Sequence, residues 1–163
     1  MTVSLTEFLT RAAADGPVLG VTDRALDTTR VPADLAVRVV DGTTLTSRPL
    51  LYRAFVSAWE LPAHFGRNAD AFDEAMRSLD DVDDHAGAGH LTVVTAADRL
   101  LPAESDAADR QWLADSFTFY AGHYRDVGRS PAGFAVLLAT TPALRPRVMT
   151  RWAEVADVVE VAG

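Results

Sequence analysis

Apolar side chains recur along this chain with two different periods, and the alternation of those periods predicts an α/β fold. Residues 5–14 read as a short amphipathic helix with Thr6 and Glu7 near its start, and the apolar run 17–21 reads as a short strand. Residues 23–34 are rich in Asp, Arg and Thr and read as a connecting loop, whereas 35–40 form a β-branched run that ends on Asp41-Gly42, a strand entering a turn. Thr46 or Ser47 can cap a following helix with Pro49 in its first turn, and Leu50, Leu51, Ala54, Phe55 and Ala58 supply its expected buried stripe. That helix should end near Glu60, ahead of Pro62. Further on, 91–95 read as a strand, a long helix starts at Asp106 or a neighbour and runs through Trp112, Leu113, Phe117, Tyr120 and Tyr124, and 134–139 form a continuous apolar run of the kind found in a strand covered on both faces. Pro142 and Pro146 interrupt the pattern before a last strand within 155–161. Strands alternating with helices in this way favour a parallel sheet.

Residues 61–76 carry the densest local code. Gly66 permits a positive φ or a close turn, and Asn68 can cap a helix by accepting from its first free N–H groups, so the helix should begin at Ala69. Phe72, Ala75, Met76 and Leu79 then recur at three- and four-residue steps as an apolar stripe, while Asp70, Asp73, Glu74 and Arg77 recur on the other side. Asp70 and Glu74 are a like-charge i,i+4 pair, which costs an isolated helix ~0.2–0.5 kcal/mol, and a bound cation would relieve that repulsion. An acidic face of this kind is also what an ordinary solvated helix shows, and only the loop in front of it tips the reading towards a contact surface.

Charge narrows the partners. The net charge is −8, and all 15 basic residues are arginine. Without lysine there is no Schiff-base chemistry, and without cysteine there is no disulfide, thiolate nucleophile or thiolate metal site. The acidic balance repels phosphate backbones and no basic stripe offsets it, so a basic protein is the expected partner rather than nucleic acid. No run approaches the ~20 apolar residues of a membrane span. The first residues show no basic segment followed by an apolar core, from which a cytoplasmic location is expected. No cofactor motif is present, and Trp59, Trp112 and Trp152 read as packing residues. Asp80, Asp81, Asp83 and Asp84 with His85 and His90 leave open a second reading, a metal-assisted hydrolase built on the 80–90 loop.

The text Leu61-Pro62-x-x-Phe65-Gly66-x-Asn68-x-Asp70-Ala71-Phe72, with an acid at Glu74 and a leucine at Leu79, resembles the barstar family of small intracellular ribonuclease inhibitors. The strands and helices follow the family's order, so the resemblance covers roughly 35–140 of a single domain spanning 1–163, with 1–34 and 141–163 as extensions. It implies a small parallel sheet covered by helices. It also implies an inhibitor or immunity protein that presents this loop and acidic helix one-to-one to a ribonuclease cleft. Carried over by position, His64 stands where the family often has an aromatic, Ala69 at a small apolar contact, Asp70 at the matching aspartate and Glu74 at the acid that replaces a substrate phosphate. Asp73 stands where an aromatic is found, and residues 120–124 of the third helix offer no further acid. Adding Asn68 and Arg77 completes the expected contact set. A third reading keeps the fold but makes the chain an adaptor for a basic protein that is not a ribonuclease.

Overall fold

The structure is a computed structural model that describes residues 1–82, 89–127 and 133–163. Its strands in chain order are β1 (Thr2–Val3), β2 (Leu19–Thr22), β3 (Leu35–Asp41), β4 (Gly89–Thr95), β5 (Gly133–Ala139) and β6 (Val158–Val161). They form one sheet in the order β1-β6-β2-β5-β4-β3, and every pairing is parallel. Parallel neighbours need long crossovers. These are made by helices α1 (Leu5–Ala14), α2 (Arg48–Ala58), α3 (Ala69–Met76), the single turn α4 (Leu79–Val82), α5 (Ala107–Val127) and α6 (Arg145–Ala153). The α/β class expected from the alternation of periods is therefore the observed one. No helix among the described residues is long and apolar enough to cross a membrane.

The core lies on both faces of β5, whose residues after Gly133 are all buried. On one face α1 comes close because two strand positions lack a side chain: a Cβ at Gly20 would lie 2.8 Å from Val161 and 3.1 Å from Phe8, and one at Gly133 would lie 3.1 Å from the backbone of Ala13. On the other face the Phe134 ring meets Phe117, Tyr120 and Tyr124 of α5 at centroid distances of 6.0, 5.7 and 6.0 Å. α6 lies beside α5, where the Gln111 amide donates to the Val155 carbonyl at 3.2 Å.

Four local readings of the sequence change. The buried stripe of α2 is rotated: Leu51 and Phe55 are buried as expected, but Leu50 is 38% exposed, Ala54 and Ala58 are half-buried, and Tyr52, Val56 and Trp59 complete the inward face. Tyr52 is drawn in by Phe72 and Trp112, at 5.1 and 5.7 Å between centroids, and Trp59 by a hydrogen bond from its Nε1 to the Thr92 hydroxyl at 3.0 Å. Each aromatic thereby buries a large ring while finding a neighbour or a polar partner. α6 was hidden by its prolines. Pro146 sits in its first turn, where a missing N–H leaves no hydrogen bond unmade, and Val148 and Trp152 bury one face. The last strand starts at Val158, and two-residue β1 is too short to leave a period. The segments flanking 35–140 thus supply β1, β2 and β6, three strands of the six-stranded sheet.

Candidate functional site

The site begins where α2 stops. The Leu61 N–H donates to the Val56 carbonyl at 2.9 Å and the Glu60 N–H to the Ser57 carbonyl at 3.0 Å, a Schellman arrangement with Glu60 in the left-handed position at φ 56°. The left-handed residue of this loop is therefore Glu60, and of the two roles open to Gly66 the structure uses the close turn. The Glu60 carboxylate lies 3.7 Å from the Arg38 guanidinium, which in turn sits over the Trp59 ring at 5.1 Å. Gly66 is buried in a 3₁₀ turn over residues 63–66, and its Cα face lies against Arg53, with 3.4 Å between an added Cβ and the Arg53 Cα. His64 is exposed on this turn and its ring lies against Phe65 at 4.3 Å between centroids.

Asn68 then turns the chain into α3. Its backbone is extended, and its Oδ1 accepts from the Ala71 N–H at 2.8 Å, a cap worth about 1 kcal/mol. α3 starts at Ala69 as its sequence requires, with Phe72, Ala75 and Met76 fully buried and Ala69 half-buried beside the loop. Phe72 is held among Tyr52 and Phe55 of α2 and Trp112 and Tyr120 of α5, at 5.1 to 6.3 Å between centroids. The far end of the helix is fixed by two side chains of α5. The Tyr124 hydroxyl donates to the Met76 carbonyl and accepts from the Leu79 N–H at 3.0 Å, while His123 Nε2 donates to the Arg77 carbonyl at 3.1 Å. None of these α5 contacts was foreseen, although Tyr120, His123 and Tyr124 at helical spacing were visible as polar-tipped residues on a long apolar helix.

The outer face divides into two parts. Asp70 and Glu74 are exposed, and neither forms an ion pair among the described residues. Asp70 lies in the first turn, where the helix dipole favours a negative charge. Asp73 and Arg77 are half-buried and paired, with Nε and Nη2 of Arg77 at 3.1 and 3.0 Å from the same Asp73 oxygen. Burial first, and then the Asp73 carboxylate, push the Tyr120 phenol above its ordinary range. The three acids expected to act alike are thus two available carboxylates and one committed to its own helix.

The alternative centred on 80–90 has less geometry behind it. Asp83, Asp84 and His85 lie outside the described residues. Asp80 belongs to α4, and His90 is on β4 rather than in a loop: it is buried against Trp59 and Tyr124, with Nε2 at 2.8 Å from an Asp80 oxygen. Among the described residues no group of three or more His, Asp or Glu side chains could hold a metal ion.

A family model described as Barstar (barnase inhibitor) matches residues 35–139. No curated protein matches the chain.

Proposed function

The chain belongs to the barstar family, and from that premise we propose that it is a proteinaceous inhibitor of a ribonuclease, an immunity protein acting one-to-one in the cytoplasm of the cell that makes the enzyme. In this proposal the chain performs no chemistry and needs no cofactor. Its contact surface is His64, Asn68, Ala69, Asp70, Asp73, Glu74 and Arg77. A ribonuclease cleft must be positive to hold a phosphodiester, so carboxylates presented on a stiff support are drawn into it and exclude the RNA. The observation that carries the proposal is the pairing of two exposed carboxylates that have no ion partner among the described residues, Asp70 and Glu74, with a helix whose opposite face is buried. Asp73 and Arg77 contribute shape and a hydrogen-bonding rim.

The test is RNA cleavage by a panel of small basic ribonucleases, with and without the purified chain, at rising salt. At least one enzyme should be blocked with equal potency in the presence of divalent metal or chelator. Asp70→Ala and Glu74→Ala should each weaken that block, by ~2 kcal/mol or more for a central contact, and the association rate should fall steeply with ionic strength. Inhibition that depends on metal, or a block indifferent to both substitutions, would overturn the proposal. Capture of a basic protein without nuclease activity through the same two acids would convert it to the adaptor reading.

A further inference from the structure

The other charged feature is positive, and its α6 side lies outside the span that the family model matches. Arg110 on α5 and Arg147 and Arg151 on α6 line one open groove of about 720 Å³. None of the three forms an ion pair among the described residues, in a chain with net charge −8 where most arginines do. Arg110 is 5% exposed. Its Nη1 donates to the Leu101 and Ala103 carbonyls, both at 2.7 Å, and its buried Nε has no hydrogen-bond partner among the described residues. Arg151 spends one nitrogen on the Asp98 carbonyl at 2.8 Å. Arg147 and Arg151 are one turn apart on the same helix, and Arg147 stands in the first turn, where the helix dipole disfavours a cation. Burial, and then the neighbouring Arg110 and Arg147, hold the Arg151 guanidinium below its ordinary value. Glu104 and Glu154 stand at the rim of the groove and are exposed.

We propose that this groove between α5 and α6 binds a phosphate-class oxyanion, free or at the end of a small molecule, through Arg110, Arg147 and Arg151. Three guanidiniums present more donors and more charge than one carboxylate can use. A phosphate, with three or four acceptor oxygens and up to two charges, matches them, and the planar fork of arginine suits its edges. The groove is of the size that holds small ligands, so the anion need not be bare. An anion there would relieve the repulsion within the cluster.

Isothermal titration of the full chain with inorganic pyrophosphate and, separately, with ADP, at constant ionic strength, tests this. Saturable binding is expected for at least one probe, and Arg147→Gln and Arg151→Gln should each weaken it about tenfold. Arg30→Gln, which removes a surface charge paired to Asp27, should leave it unchanged. Because Arg110 also holds two loop carbonyls, its substitution can disturb folding, so the two α6 variants carry the test and circular dichroism verifies that they are folded. Tighter binding of ADP than of pyrophosphate assigns the site to a phosphorylated small molecule, and the reverse assigns it to the free anion. No saturable binding of either probe, or an equal loss in Arg30→Gln, overturns the proposal.

Discussion

The two halves of the sheet are built to different standards. β3, β4 and β5 are seven residues each, pair over most of their length, and lie beneath α2, α3 and α5, whose aromatic rings interlock around Phe72 and Phe134. β2, β6 and β1 are four, four and two residues, come from the two flanks of the chain, and rely on α1 and α6. The family match covers only the first half. The stretch that the family model matches builds a platform for the acidic helix, while the flanks complete the sheet: without β2, β5, buried from Phe134 onward, would become an open apolar edge.

The strongest challenge to that division is to remove the flanks. A fragment of residues 35–139 should show no cooperative thermal transition and should aggregate, whereas the full chain should unfold in one step. A fragment that melts sharply would show that the longer half is self-sufficient. Within that half, Phe72→Ala should lower the free energy of urea unfolding by about 3–5 kcal/mol, while Leu50→Ala on the rotated face of α2 should stay within about 0.5 kcal/mol. Similar losses at both positions would mean that Leu50 does not stand on an exposed face of α2. The finest probe is alkaline pH. Burial is the first cause that pushes the Tyr120 and Tyr124 phenols up, and nearby carboxylates add to it. Below about pH 10 both tyrosines are protonated folded or unfolded and contribute no pH dependence; above it the unfolded phenols ionise while the folded ones keep their protons. Stability should therefore fall as pH rises beyond that point, and Tyr120→Phe and Tyr124→Phe should each flatten the decline. A decline unchanged in both variants would assign it to other groups.

Legibility in the sequence followed the range of the interactions. The edges of α1, the cap at Asn68 and the buried stripe of α3 rest on residues within a few positions of one another, and period and capping chemistry revealed them. The left-handed residue of the site left no signal, because glycine advertises that conformation and Glu60 does not; Glu60 adopts it where two hydrogen bonds close the end of α2. Asp73 looked equivalent to Asp70 and Glu74 until Arg77 was seen to hold it. The Tyr124 bridge spans 48 and 45 residues, and the arginine groove joins helices whose contributing residues lie far apart in the chain, so neither leaves a local signature.

The Tyr124 hydroxyl has a dynamic consequence. Two turns of helix would fray within microseconds if left alone, since so short a segment is marginal in water. Here the last carbonyl of α3 and the first amide of α4 share one buried oxygen that α5 carries, so neither end can open unless α5 lifts from the sheet. Amide protons of α3 should accordingly exchange with solvent at the pace of global unfolding, which makes a peripheral surface as long-lived as the interior.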